Sequence, residues 1–496
     1  MPDTIPNIQV NTNLFIDNKF VPASSGKTFD VLNPHDESLL AKVAEGDRAD
    51  IDRAVSAAQK AFPAWSNMAA SARGALIYKL AQAIEEDGEN LALIETLDTG
   101  HPIRDTRNLD VFRTAAVFRY FAGMADKYEG FVVPAEPGFL TYITRDPIGV
   151  VGLIVPWNFP LMFTSWKMGP ALAAGNCLVL KPAELTPLTT LRVAELAAKV
   201  GFPPGVINIV PGYGATAGQY LAEHGGIGKV SFTGSTVTGR KVVQASAGNL
   251  KRLQLELGGK GANIVFEDAD IDLAVNGSAF GIFHNQGQAC IAGSRLMLHE
   301  TIADQFLDKF IGLAKTIKLG DPRKVETEMG PLTSRPHQEK VLRYSQIAKE
   351  EGGEILLGGK APDDPALAKG CYVLPTVVRA KPQDRVNRDE VFGPFVTVSV
   401  FRDEDAVIEQ ANATSYGLGG GLWTRNLNRA HRLAKQLQVG MVWINCYKRF
   451  HPGSPFGGIK DSGYGSEMGF EAMHEYTNPK ATWVNYAGNT PPFYKR

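Results

Sequence analysis

A doubly wound α/β fold is predicted by three features of this sequence. From about residue 147 onward, short β-branched and nearly continuous apolar runs appear: "IGVVGLIVP", "NCLVLKP", "VINIVPG" and "KVSFTG". Helical segments such as "TPLTTLRVAELAAKVG" lie between them. The same alternation restarts after "ELGGKGANIVF", so a second α/β unit is expected from about 258 to 460. Buried strands alternating with helices belong to parallel sheets covered on both faces.

Ahead of these units, residues 49 to 128 read as helices. "IDRAVSAAQKAFPAW" and "SARGALIYKLAQAIEED" repeat apolar residues at three- and four-residue spacing. Two further stretches, "TYITRD" (141 to 146) and "ATWVNYAG" (481 to 488), alternate polar and apolar residues as half-exposed strands do. Each is either an ordinary hairpin edge or part of an arm that adds strands to a partner subunit and protects an open edge.

Composition narrows the function classes. The 496 residues suggest about three structural units. Hydrophobic content of 44% and charged content of 21% are those of a globular protein in water. A net charge of −1 gives no reason to expect nucleic acid or an anionic membrane as partner. "MPDTIPNIQV" lacks the basic-then-apolar pattern of a secretory signal, and no apolar run approaches a membrane span. Cys177, Cys290, Cys371 and Cys446 are scattered without metal-ligand spacing. Reduced thiols in a cytoplasm are therefore expected, and no metal.

Five stretches carry candidate chemistry. In "VSFTGSTVTGRKVVQ" a buried strand ends at Thr233-Gly234, Ser235 or Thr236 can cap, and a helix follows. A strand, a tight turn and a helix start make a phosphate site, although a plain strand-to-helix turn looks the same. "LKPAE" (180 to 184) sits past another strand's C-terminal end, where ligands gather in such sheets. There Lys181 and Glu184 suit a ribose or are a solvated charged turn. "LQLELGGKG" sets Glu256 between leucines, as a buried general base or on the polar side of an alternating strand. "PWNFP" brackets Asn158 with prolines, for an oxyanion hole or for a turn amide capping its own backbone. "NQGQACIAGSR" places Cys290 among small and amide-bearing residues, as filler between close backbones or as a nucleophile.

With these stretches in hand, the chain resembles the NAD(P)-dependent, non-acylating aldehyde dehydrogenase superfamily from end to end. The likeness runs through "PWNFPL", "LKPAELTPL", "FTGST", "LELGGK", "NQGQAC", "EVFGP" and "SPFGGIKDSGYGSE", in family order and spacing. It implies that Cys290 attacks an aldehyde, that Asn158 and the Cys290 backbone N–H hold the oxyanion, and that Glu256 activates water to hydrolyse the thioester. Lys167 and Glu467 match positions assigned to proton relay. For the cofactor it implies Lys181 and Glu184 at the adenosine ribose, Gly234 and Ser235 at the pyrophosphate, and Glu390 and Phe392 at the nicotinamide end. Pro156, Trp157, Gly214 and Leu257 complete those surroundings. Glu184 suits a free 2′-hydroxyl, so NAD is expected ahead of NADP.

The resemblance also implies two Rossmann-like α/β domains plus a small β oligomerisation arm. The boundaries expected are 1–128 with 148–257 for the NAD-binding domain, 258–460 for the catalytic domain, and 129–147 with 475–496 for the arm. A homodimer or homotetramer follows. The substrate channel maps onto Phe159, Met162, Trp166, Ala289, Ile291, Phe450 and Phe456, with Ile291 narrowing the space near sulfur. That wall implies a hydrophobic aldehyde, aromatic or medium-chain aliphatic. Arg113 and Lys448-Arg449 are basic at the same channel, which leaves a carboxylate-bearing semialdehyde as the alternative. A CoA-acylating enzyme would not need Glu256. A catalytically silent relative would not keep Cys290, Asn158 and Glu256 together. A cysteine hydrolase would need a histidine partner, and His284 reads instead as core or helix surface.

Overall fold

The computed structural model describes residue 8 and residues 10–489. Residues 1–7 and 9 of the expected NAD-binding domain, and 490–496 of the expected arm, lie outside the described residues.

The first sheet has eight strands. Its five central strands are parallel and run, side by side, Ile207–Ile209, Cys177–Lys181, Val150–Ile154, Lys229–Thr233 and Arg252–Glu256. The apolar runs of the sequence are these strands, and nearly every residue in them is buried. Strand order reverses between Val150–Ile154 and Lys229–Thr233, because the chain winds outward in one direction and then the other. Such a reversal opens a crevice at the C-terminal strand ends.

Both edges of this sheet come from stretches that sequence patterning passed over. Leu14–Ile16 and Lys19–Val21 form a hairpin on one edge, joined by Asp17 and Asn18 at φ 54° and 58°. Two left-handed turn residues match the twist of a tight hairpin, and Asp and Asn tolerate that conformation best after glycine. Gly463–Tyr464 closes the other edge antiparallel to Leu255 and Glu256.

The second sheet has seven strands and takes up after Gly261. Its order is Glu354–Leu357, Thr376–Arg379, Phe395–Phe401, Arg295–His299, Ala262–Val265, Gly419–Trp423 and Met441–Ile444. All neighbours are parallel except the first pair. Helices expected from three- and four-residue periodicity appear at Arg48–Ser66 and Ala70–Glu86. The first begins on a reciprocal cap: Asp47 accepts from the Ala49 N–H, and Asp50 accepts from the Asp47 N–H. Helix Pro160–Ala173 is buried along its whole length and carries Lys167 to the centre of the molecule.

The two alternating stretches pair with each other. Phe139–Pro147 and Thr477–Asn485 run antiparallel in continuous register from Pro147↔Thr477 to Phe139↔Asn485, and Phe131–Val133 adds a third strand. Phe131, Val132, Leu140, Trp483 and Val484 are exposed on this small sheet. Among the described residues no helix is long and apolar enough to cross a membrane.

Candidate active site

The peptide around Cys290 is built by its neighbours. Helix Ile271–Phe283 delivers the chain, and then Asn285, Gln286 and Gly287 all take left-handed backbone at φ 52°, 53° and 71°. Each non-glycine residue there costs about 1–2 kcal/mol, which the surroundings must offset. The amide side chains do so. Asn285 Nδ2 donates to the Asn158 carbonyl at 2.7 Å. Gln286 Nε2 donates to the carbonyls of Gly100 and Pro331 at 2.8 and 2.9 Å. Gln288 Oε1 accepts from the Thr333 N–H at 3.0 Å. A Cβ on Gly287 would strike the Gly393 carbonyl, and one on Gly259 would strike the Cys290 carbonyl. The unusual composition of "NQGQAC" is thus the scaffold of a strained turn.

Cys290 lines two cavities, one on each side of the turn. Burial pushes its thiol up, with the Glu390 and Glu256 carboxylates adding to the push and the Lys448 ammonium opposing it. All four cysteines are free and raised, Cys177 to about 12 and Cys371 to about 11.

Asn158 stands on the larger cavity's wall, in the turn after Val150–Ile154. One of its amide hydrogens goes from Nδ2 to the Gln288 carbonyl at 2.8 Å. An amide nitrogen carries two donors, so a second remains for a guest oxygen. Glu256 ends its strand and is 1% exposed, which rules out a polar strand face. Neither carboxylate oxygen has a hydrogen-bond partner among the described residues. Burial holds its pKa well above the ordinary range, Glu467 pushes the same way, and Lys167 counters. Lys167 and Glu467 form a fully buried ion pair, and Lys167 Nζ also donates to Ser231 Oγ at 2.8 Å.

The larger cavity, about 250 Å³, lies at the strand-order reversal. Pro156, Trp157, Gly234, Ser235 and Leu257 line it, as do Glu390 and Phe392 from the second sheet's side. Ser235 Oγ caps helix Thr236–Ala245 by accepting from the Thr238 N–H. Glu390 Oε1 accepts from the Gly259 N–H at 2.8 Å. Phe392, at φ 64°, meets Trp157 edge-on at 5.3 Å. Lys181 and Glu184 pair at 2.7 Å, and Glu184 also faces the Gly214 N–H. These three do not line the cavity itself. Sequence reading missed Thr233, Gly258, His337 and Lys340 on this wall. His337 bonds the Phe392 carbonyl, and burial followed by the Lys340 charge lowers it to about 4.

The second cavity is narrow, about 30 Å³. All eight residues expected at the substrate reach it: Arg113, Phe159, Met162, Trp166, Ala289, Ile291, Phe450 and Phe456. Trp166 packs edge-on against Phe456 and Phe450 at 4.8 and 5.8 Å. The sequence reading omitted Phe163 and Phe280, and it misplaced His284. His284 is neither plain core nor helix surface. It stands on the pocket wall, both ring nitrogens lacking partners among the described residues. Its ring packs against Phe280 one turn earlier and against Phe159 and His101, which are distant in the chain. His101, Asp105 and His284 bring donor atoms within 4.8 Å of one another, although no spacing in the sequence suggested a metal. The positive charges of Lys448, Arg113 and Arg104 face the same ring and work against a cation.

Comparison with known proteins shows the family. Residues 20–482 match the Aldehyde dehydrogenase family. The mitochondrial aldehyde dehydrogenase of Homo sapiens is 44% identical over 490 residues, 97% of this chain and 93% of that one. The betaine aldehyde dehydrogenase of Bacillus subtilis (strain 168) is 43% identical over 480 residues, 96% of this chain and 98% of that one. Solved structures of PnpE, from Pseudomonas sp. WBC-3 and in complex with nicotinamide adenine dinucleotide, superpose with TM-score 0.97 at 64% identity, covering 98% of this chain and 100% of the other.

Proposed function

Since this chain belongs to the aldehyde dehydrogenase family, we propose that it oxidises an aldehyde to the carboxylic acid through a covalent Cys290 thioester that Glu256 helps to hydrolyse. One observation carries the reading: a single sulfur lies on the wall of both cavities, with an amide donor at Asn158 and an unpaired carboxylate at Glu256 close by. One cavity admits the aldehyde and the other the oxidant.

The chain's residues divide the work. Cys290 Sγ bonds to the carbonyl carbon as its thiol proton passes to solvent water. The carbonyl oxygen, now an alkoxide, accepts hydrogen bonds from Asn158 Nδ2 and the Cys290 N–H, which favour charge developing there. NAD, when bound, supplies the hydride acceptor. A water then adds to the thioester carbon while Glu256 takes its proton, and the Cys290 sulfur leaves as the acid forms. Lys167 and Glu467, behind Glu256, give that proton a buried route.

The larger cavity suits a dinucleotide. Gly234 and Ser235 place a capped helix start at the sheet's reversal point, where phosphates bind. Glu184, held ionised by Lys181, favours a ribose 2′-hydroxyl over a 2′-phosphate. NAD is the cofactor, and NADP is expected to turn over with lower kcat/KM. Substrate-side contacts come from Phe159, Met162, Trp166, Ala289, Ile291, Phe450 and Phe456, which suit a slender apolar or aromatic body. We assign the NAD-binding domain to 1–128 with 148–257, the catalytic domain to 258–460, and the arm to 129–147 with 475–496. The exposed apolar residues of the arm sheet support a homodimer or homotetramer, and four free thiols support a cytoplasmic setting.

An aldehyde panel assayed with NAD, with NADP and with added CoA tests this reading. Free acid and NADH in equal amounts, without CoA, are expected. CoA-dependent turnover yielding a thioester would overturn the hydrolytic step.

A further inference from the structure

Lys448 is the outlier of the substrate pocket. It is 3% exposed, its backbone sits at φ 53°, and Nζ has no hydrogen-bond partner among the described residues. Among the described residues, the Cys290 sulfur favours its charged form and the Arg113 charge opposes it. Burial followed by these neighbours lowers it to about 7. Arg113, on helix Phe112–Met124, lies over the Phe450 ring at 4.5 Å and lines the same pocket. Asp110 and Asp105 lie near Arg113 but neither lines the pocket.

Among the described residues no carboxylate lines this pocket, while two basic side chains do. A buried cation without a partner is expensive, and natural cores keep such groups paired. Lys448 has no pairing group among the described residues. His284 adds a neutral ring with free nitrogens to the same wall, burial and the His101, Lys448 and Arg113 charges keeping it unprotonated.

We infer that the substrate itself brings the missing anion: the aldehyde carries a carboxylate, which Lys448 and Arg113 bind while its body lies between the aromatic walls. This rests on the proposed aldehyde oxidation and adds the substrate class, a slender semialdehyde of a dicarboxylic acid. Phe159, Trp166, Phe450 and Phe456 contact the carbon chain, Ile291 limits its width, and His284 offers a hydrogen bond beside the carboxylate.

Adipic semialdehyde and its methyl ester differ only in that charge, and betaine aldehyde carries the opposite one. The acid is expected to have the higher kcat/KM, and betaine aldehyde the lowest. In Lys448→Met with Arg113→Met the acid-over-ester preference is expected to fall about a hundredfold, the scale of losing buried charge partners. An unmodified enzyme that prefers the ester, or variants that lose both substrates equally, would overturn the inference; the latter would assign Lys448 to the thiol. Calorimetric binding of adipate against monomethyl adipate to Cys290→Ala needs no turnover. Tighter adipate binding to the variant, with no NAD-dependent oxidation by the unmodified enzyme, would sink the proposed reaction and keep the anion site. Oxidation with equal binding of the two would do the reverse.

Discussion

Replacing Glu256 with glutamine separates the two halves of the proposed reaction. The side chain keeps its shape and loses only the ability to take a proton. Its carboxylate is fully buried, and neither oxygen makes a hydrogen bond that glutamine would break. A positioned general base contributes about a hundred- to ten-thousandfold, or about 3–5 kcal/mol on the barrier. That loss should fall on thioester hydrolysis alone. Stopped-flow mixing of Glu256→Gln with aldehyde and NAD should show a burst of NADH equal to the active sites, then a steady rate lower by that factor. In the unmodified enzyme kcat should fall as pH drops through the Glu256 pKa, which burial sets well above the ordinary glutamate range. This limb should vanish in the variant. Stability gives a second reading. A carboxyl raised by folding contributes stability that is complete below its unfolded pKa and lost as pH rises through the folded value. The variant should therefore match or exceed the parent Tm above neutral pH. Loss of the burst, with the first turnover as slow as the rest, would refute the assignment and place Glu256 at the thiol proton instead.

Other substitutions probe the remaining parts. Asn158→Ala should slow single-turnover NADH formation about a hundredfold, the usual cost of one oxyanion donor. Lys167→Met leaves Glu467 as an uncompensated buried charge and should cost about 3–5 kcal/mol in urea unfolding. Removing both charges with Lys167→Met and Glu467→Leu should recover most of that. Trp483→Asp places a charge on the exposed arm sheet and should shift the assembly to a lower mass by light scattering.

How much of this was legible in the sequence depended on range. Val150–Ile154 and Lys229–Thr233 announce themselves because a strand buried on both faces must be apolar throughout. Cys290, Asn158 and Glu256 stand out because each is a polar or reactive residue in a stretch that local patterning cannot explain. His284 and Lys448 gave weaker signals, since their isolation is set by groups distant in the chain. Phe159 and His101 enclose His284, and Arg113 faces Lys448 from a helix more than three hundred residues earlier. The Asp17-Asn18 hairpin was readable in principle, but three-residue strands are too short for periodicity to mark.

Three groups near Cys290 share one property: each is buried with polar atoms that the described residues leave unpartnered. Glu256 has unpaired oxygens, Lys448 an unpaired ammonium, and His284 unpaired nitrogens. A core optimised for stability would replace them with apolar side chains of similar volume, often at no cost or with a gain. Their presence beside one sulfur marks where stability is given up. The strained Asn285–Gly287 turn belongs with them, since it leads into Cys290, which lines both cavities. Each deficit also has a different remedy. In the proposed reaction Glu256 is matched by the water it deprotonates, the Asn158 and Cys290 N–H groups by the alkoxide, and Lys448 by the carboxylate inferred for the substrate. On the proposed reaction the site is a charge mould of the reacting aldehyde, and the cation at Lys448 is the part of the mould that tells one aldehyde from another.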